Sequence, residues 1–237
     1  MEIENKKKSP AQQLLEKLEF KSENAGTTIS ETELKATQDF CEGYKIFLNN
    51  SKTEGCCVET VIEMAEAQGY QQFVLGKHYA PGDKIYLKNR GAAIILSTIG
   101  TKPLENGLRV IASHIDSPRL DLKPNPLFEE SELAYFKTHY YGGVRKYQWP
   151  TVPLALHGVV FKEDGTMIKI NIGEDENDPQ FCISDLLPHL GAEQNKKVLS
   201  EAFTGECMNV IVGSLADSDE DITEKTKFSI LKILNEK

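Results

Sequence analysis

The chain lacks the cysteine patterns that disulfide frameworks and zinc ribbons require. Its 237 residues contain five cysteines, an odd number at irregular spacing, and no Cys-x-x-Cys motif. Cys56 and Cys57 are adjacent, whereas the other three lie far from them and from one another. We therefore expect reduced thiols, with a structural zinc site as the less favoured alternative.

Long apolar runs and an excess of positive charge are also missing. The longest apolar run covers residues 92–96 and is far too short to span a bilayer. The N-terminus carries no apolar core of a signal peptide. The formal net charge is −9, which argues against a general nucleic-acid binder. We therefore expect a soluble cytoplasmic protein with neither a membrane nor a nucleic acid as its partner.

The composition and the first third of the chain suit a folded protein that begins with helices. Hydrophobic residues make up 40% of the chain, enough for a packed core. Ser9 with Gln12, and Ser30 with Glu33, have the spacing of capping boxes, which predicts that a helix begins at each pair. A third helix is predicted over residues 53–68, ahead of Gly69.

Short strands are predicted next. Turn residues separate four apolar stretches, at residues 72–75, 84–87, 91–98 and 108–113. Helices followed by strands with nearly continuous apolar runs predict an α/β layer protein with a buried sheet.

The pattern changes after about residue 121, where proline and glycine become frequent. Candidate strands there are short, at residues 152–156, 158–162 and 167–172, and Asp164-Gly165 indicates a hairpin between the last two. Helical pieces are predicted near residues 192–203 and 224–235. The best single domain boundary lies just after residue 121.

His114 and Asp116 form the most informative pair in the chain. His114 follows the apolar run at residues 108–112, and Asp116 stands two positions further on. An imidazole in this position can bind zinc through one nitrogen, while a nearby carboxylate holds the other nitrogen. The residues alone leave an alternative open, in which backbone groups satisfy a structural His114 and Asp116 belongs to a turn.

Four blocks of sequence in this order resemble the M18 family of zinc aminopeptidases, which includes the aspartyl aminopeptidases. They are VIASHIDSPRLDLKP at residues 110–124, FKTHYYGGVRKYQW at 136–149, PLALHGVV at 153–160 and SDLLPHL at 184–190. The resemblance runs from about residue 10 to the end of the chain.

This resemblance implies an α/β fold in which a zinc-peptidase-like α/β/α layer portion is followed by a β-rich inserted lid and dimerisation domain. The corresponding domains are residues 1–121 and 122–237. Members of the family are about twice as long, and their metal-binding and catalytic carboxylates lie mostly in a second half. We therefore expect this chain to be the N-terminal half of such an enzyme, without the C-terminal catalytic part.

The resemblance also implies roles for individual residues. His114 is expected to bind one of two divalent metals, with zinc as the cofactor, and Asp116 joins the catalytic set by orienting a ligand. His189 is expected to reach a metal or the substrate, although some relatives hold two closely spaced histidines there. His139 is a candidate substrate-binding residue, or else part of an aromatic patch at a subunit contact.

Two interpretations of function follow. In the first, the chain belongs to a metallo-aminopeptidase that removes N-terminal residues, with acidic ones as a candidate preference, and assembles as a dimer-based dodecamer. A loose basic set would attract such substrates, or it equally forms a solvated face or interface pairs: Arg119, Lys123, Lys137, Arg145 and Lys146. In the second, it is a non-catalytic assembly or regulatory remnant of an M18 enzyme.

Overall fold

The computed structural model describes residues 8–236, which divide into two compact units, one ending at Asn49 and the other beginning at Asn50. The first unit is helical. Its helices are α1 (Pro10–Leu18), α2 (Ala25–Thr28) and α3 (Glu31–Asn50), the last ending one residue past the boundary.

Both predicted capping boxes are present. The Ser9 hydroxyl accepts a hydrogen bond from the Gln12 backbone N–H at 3.2 Å, and the Gln12 side chain accepts one from the Ser9 backbone N–H at 2.9 Å. Ser30 and Glu33 make the same reciprocal pair at 3.3 and 2.8 Å. Each pair satisfies backbone N–H groups that the first turn of a helix leaves unbonded, so the predicted starts of α1 and α3 are confirmed.

The second unit combines helices and short sheets. In chain order its first elements are α4 (Glu54–Ala67), β1 (Gln71–Gln72), β2 (Lys84–Asn89), β3 (Ala93–Thr98), β4 (Arg119–Glu130) and β5 (Leu133–Tyr141). They are followed by β6 (Leu156–Phe161), β7 (Met167–Ile172), α5 (Leu199–Ala202), β8 (Val210–Gly213) and α6 (Lys225–Glu236).

The strands of residues 8–236 form three small sheets. In the first, β2 pairs in parallel with β1 and antiparallel with β3. In the second, β5 lies between β4 and β8, and both pairings are antiparallel. The third is the β6–β7 hairpin, in which Asp164 accepts a hydrogen bond from the Thr166 N–H and Gly165 has φ of 83°. The hairpin indicated by Asp164-Gly165 is therefore confirmed.

The core lies between the β4–β5–β8 sheet, the end of β7 and α6. It consists of apolar side chains that are almost fully buried: Ala134, Phe136, Ile172, Phe181, Ile183, Met208, Val210, Val212 and Ile230. They alternate along β5 and β8, as the two faces of a half-buried strand require.

Several predicted elements are wrong. Residues 108–113 form no strand, and Ile111 is 100% exposed, because no neighbouring strand pairs with this segment within the described residues. Residues 152–156 contain only an isolated bridge from Leu154 to Phe181, and the strand begins at Leu156. The first predicted strand is reduced to Gln71–Gln72, and the helix near 192–203 to α5 and a short 3₁₀ turn.

The long antiparallel pair of β4 and β5 was not predicted. Pro124 and Pro126 lie inside β4, and proline cannot donate a ladder hydrogen bond. The pairing register shifts between Leu122 and Leu127, so the strand accommodates the prolines in an irregular stretch. No helix within residues 8–236 is both long and apolar enough to cross a membrane.

Candidate metal-binding site

The His114 ring is held through one nitrogen. Nδ1 lies 2.9 Å from the Asp116 carboxylate oxygen Oδ1 and 3.0 Å from the Asp116 carbonyl oxygen. An ionised carboxylate and a carbonyl can only accept, so Nδ1 must carry the hydrogen. The neutral imidazole then has its lone pair on Nε2, the nitrogen that is available to a metal ion.

Asp116 is itself held from two sides. The Tyr141 hydroxyl donates a 3.0 Å hydrogen bond to Oδ2, while Oδ1 accepts from His114. The hydrogen bond from Tyr141, followed by the one from His114, lowers the pKa of Asp116, so the carboxylate stays ionised at neutral pH. The same hydrogen bond raises the pKa of Tyr141, which keeps its hydroxyl protonated and able to donate.

Arg119 lies against Tyr141 because the two residues are direct partners in the β4–β5 pairing. The guanidinium carbon of Arg119 is 4.0 Å from the centre of the Tyr141 ring. Its Nη1 donates to Glu54 at 2.9 Å and its Nε to Asp121 at 2.7 Å. Cation–π contact and two carboxylate partners therefore fix the guanidinium beside the tyrosine.

The sequence did not identify Tyr141 as a contact of Asp116, or Glu54 as a contact of Arg119. Glu54 stands in the first turn of α4, 65 positions from Arg119, and Tyr141 is 25 positions from Asp116. The signal that could have found Tyr141 is the pairing of residues 119–122 with 138–141, which the prolines of β4 obscure.

The other candidate histidines lie elsewhere. His139 is exposed in β5, opposite Asp121, and its ring stacks on Tyr140 with centroids 5.3 Å apart. His189 is exposed in a turn. The structure thus brings Asp116 to His114, and no group of three or more His, Cys, Asp and Glu side chains in residues 8–236 is placed to hold a metal ion.

The five residues of the predicted basic set have partners within the chain. Arg119 and Lys123 contact carboxylates, Lys123 binding Glu206 at 3.0 Å. Lys137, Arg145 and Lys146 lie over the rings of Phe128, Tyr147 and Tyr140 respectively. Among residues 8–236, no carboxylate forms an ion pair with the three ring-packed cations, whereas Arg119 and Lys123 each have such a partner.

Comparison with known proteins places these features in a family. A family model described as aminopeptidase I zinc metalloprotease (M18) matches residues 47–237. A probable M18 family aminopeptidase 1 from Clostridium acetobutylicum is 45% identical over 218 residues, covering 90% of this chain and 47% of the relative. The chain spans about half the length of the curated relatives it matches.

Solved structures agree with this comparison. The crystal structure of an M18 aminopeptidase from Thermotoga maritima superposes with a TM-score of 0.82 at 41% identity, covering 92% of this chain and 47% of the other. The mApe1 dodecamer of S. cerevisiae superposes with a TM-score of 0.59 at 17% identity, over 85% of this chain and 44% of the other, which shows a shared fold alone. The mixed α/β fold expected from the sequence is confirmed.

Proposed function

Because the chain belongs to the M18 family of zinc metalloproteases, we propose that it forms part of an aminopeptidase that removes N-terminal residues, acidic ones among them, from peptides. The observation that carries this proposal is the state of His114. Its Nδ1 is hydrogen-bonded to Asp116, which leaves the lone pair of the neutral ring on Nε2. This is the arrangement in which a histidine binds zinc.

The described residues supply one zinc ligand and not a complete set. One imidazole nitrogen, Nε2 of His114, is available to the metal, whereas a protein zinc site takes three or four protein ligands. We assign His114 as a ligand of one of two zinc ions, and His189 as a residue that reaches a metal from an exposed turn. When bound, zinc polarises the scissile carbonyl and lowers the pKa of water so that hydroxide forms near neutral pH.

The chain's own residues do the positioning. Asp116 accepts the Nδ1 hydrogen, which fixes the tautomer and increases the basicity of Nε2. His139 is proposed to contact substrate, which its exposure permits. Residues 1–121 are proposed to belong to the peptidase domain and residues 122–237 to the lid and dimerisation domain. Strands β4–β8 make most of the second domain β-rich.

We further propose a homo-oligomer built from dimers into a dodecamer. The dodecamer of S. cerevisiae mApe1, which shares this fold, supports that assembly. Exposed apolar side chains on the β6–β7 hairpin offer a surface for self-association: Val159, Val160, Phe161 and Met167.

A specific observation favours a second function. Within residues 8–236, no group of three or more His, Cys, Asp and Glu side chains is placed to bind a metal ion, so these residues by themselves form no complete centre. In this alternative the chain is a non-catalytic assembly or regulatory remnant of an M18 enzyme. We predict that the isolated polypeptide hydrolyses no aminoacyl-nitroanilide, and hydrolysis that disappears in His114→Ala would contradict this.

A chimera separates the two functions. The segment of the Clostridium acetobutylicum relative that aligns with this chain is replaced by this chain, and the remaining half is kept. We expect the zinc-loaded chimera to hydrolyse aminoacyl-nitroanilides, His114→Ala to reduce hydrolysis to background, and His78→Ala, at another exposed histidine, to retain it. A folded, zinc-loaded chimera that hydrolyses no aminoacyl-nitroanilide, whether the aminoacyl group is acidic or neutral, would overturn the aminopeptidase proposal and favour the remnant.

A further inference from the structure

Tyr141 contacts the carboxylate that holds His114. Its hydroxyl donates to Oδ2 of Asp116, while Oδ1 accepts from His114, so each carboxylate oxygen has its own donor. Two donors at opposite ends fix the plane of the carboxylate. We propose that Tyr141 is a positioning residue that acts through Asp116 to keep His114 in the Nδ1–H tautomer, with Nε2 free.

The surroundings of His114 explain why its orientation depends on a contact such as that between Tyr141 and Asp116. His114 lies in a segment without regular secondary structure, and its side chain is 83% exposed. Neither a backbone ladder nor close packing limits its rotation, and a free side chain samples several rotamers. A ligand held only by its own chain neighbour would lose part of its orientation, whereas a carboxylate fixed from a paired strand provides a rigid support.

Arg119 extends this support into the fold. It packs on the Tyr141 ring at 4.0 Å and binds Glu54 of α4 at 2.9 Å. The Tyr141 ring is therefore contacted by a guanidinium that is itself anchored to a carboxylate on α4. A lysine at position 119 would keep the charge but lose the flat stacking surface and the forked pair of donors.

The role of Tyr141 in zinc binding rests on the proposed function. Its effect on the tautomer of His114 does not, since that tautomer can be measured without zinc. The protein is labelled with ¹⁵N-histidine, and long-range ¹H–¹⁵N spectra are recorded at pH 8. His114→Ala assigns the His114 signals among the five histidines.

Three variants, to which Arg119→Lys is added below, are compared with the unaltered chain. Tyr141→Phe removes the hydroxyl and keeps the ring. Tyr140→Phe is the matched control, because the adjacent tyrosine faces the other side of β5 and packs against the core. Asp116→Asn removes the charged acceptor of the Nδ1 hydrogen. We expect a Nδ1–H pattern for His114 in the unaltered chain and in Tyr140→Phe, and its loss in Tyr141→Phe and Asp116→Asn.

The outcomes are distinguishable. A His114 pattern that changes in Asp116→Asn but not in Tyr141→Phe overturns the role of Tyr141, and so does an equal change in Tyr140→Phe. Arg119→Lys should shift the pattern in the same direction by a smaller amount, and a chain whose pattern never depends on Asp116 also contradicts the inference.

Zinc affinity separates this inference from the proposed function. In the chimera, Tyr141→Phe is expected to weaken zinc binding by about tenfold, the lower end of the effect of losing an outer hydrogen-bond partner. If Tyr141→Phe alters the tautomer while neither it nor His114→Ala alters zinc affinity, the positioning role stands and the assignment of His114 as a ligand fails.

Discussion

The hydroxyl of Thr226 donates a 2.9 Å hydrogen bond to the carbonyl oxygen of Glu132, which joins the first turn of α6 to the tip of the β4–β5 hairpin. Ser131 and Glu132 form that tip with φ of 51° and 62°, the left-handed conformation that a two-residue hairpin turn requires. Beside it, the Lys227 N–H donates to the Glu129 carboxylate at 2.8 Å, so the hairpin also satisfies a free amide of the helix start.

Replacing Thr226 with valine should therefore destabilise the protein without changing its packing volume. Thr226 is 1% exposed, and valine replaces the hydroxyl that donates to Glu132 with a methyl group of similar size. We expect the free energy of unfolding to fall by about 1 kcal/mol, the usual net contribution of one such hydrogen bond. Urea denaturation measures it, with Thr101→Val at an exposed threonine as the control. Equal midpoints for both variants would contradict the role of this bond.

Gly213 is the second position at which α6 constrains the sheet. A Cβ atom on Gly213 would lie 2.6 Å from Cδ1 and 2.8 Å from Cγ1 of Ile230, closer than real contacts allow. Because Ile230 is buried in the core, its side chain cannot simply turn away. Gly213→Ala should therefore cost about 1–3 kcal/mol through overpacking.

A double-mutant cycle tests this cause. Ile230→Ala removes both clashing atoms and destabilises the core by itself. If the clash is the reason for the cost, Gly213→Ala adds little to a protein that already carries Ile230→Ala. Additive effects in urea denaturation would show that the cost of Gly213→Ala comes from another source.

Local signals in the sequence predicted much of the helical structure. Ser9 with Gln12 and Ser30 with Glu33 marked two helix starts, because a capping box needs only residues three apart. Asp164-Gly165 marked the β6–β7 hairpin for the same reason, since a short turn closed by a glycine at φ of 83° depends on adjacent residues alone.

Long-range pairing was the part that the sequence did not reveal. The apolar run at residues 108–113 has the composition of a strand, yet a strand needs a partner, and this segment has none within residues 8–236. In the candidate site, the contact of His114 with Asp116 followed from a spacing of two residues. The contacts of Tyr141 and Glu54 depend on strand pairing and helix docking across 25 and 65 positions, which no local pattern records.

The ion pair of Asp217 and Lys232 predicts an acid-sensitive contribution to stability. Lys232 donates to Asp217 at 2.8 Å, and the Asp217 side chain is only 11% exposed. The hydrogen bond from Lys232, followed by the one from the Asp219 N–H, lowers the pKa of Asp217 below its ordinary value of 3.8. A carboxylate with a lowered pKa stabilises the folded state above the ordinary value, and this contribution is lost as pH falls through the folded-state pKa.

Thermal unfolding of Asp217→Asn at several pH values checks this prediction. We expect the variant to melt below the unaltered protein at pH 7, and the gap to close as the pH falls below 3.8. Glu163→Gln, at an exposed acid in the β6–β7 turn, is the isosteric control and should show no gap at any of these pH values. A gap for Asp217→Asn that is independent of pH would mean that the ionised pair is not its cause.

The cysteines should differ sharply in reactivity. Cys57 is 4% exposed, and burial raises the pKa of its thiol, whereas Cys41 and Cys207 are exposed. The thiolate is the reactive form, so a raised pKa and poor access both slow alkylation of Cys57.

Brief treatment with iodoacetamide at pH 8, followed by peptide mass mapping, should label Cys41 and Cys207 and leave Cys57 unmodified until urea is added. Cys57→Ser is the matched control and should leave the labelling of the two exposed cysteines unchanged. Labelling of Cys57 as fast as that of Cys41 in the folded protein would contradict this prediction. It would show that α4 opens readily, because only exposure of Cys57 to solvent would remove both the steric barrier and the rise in the pKa of its thiol.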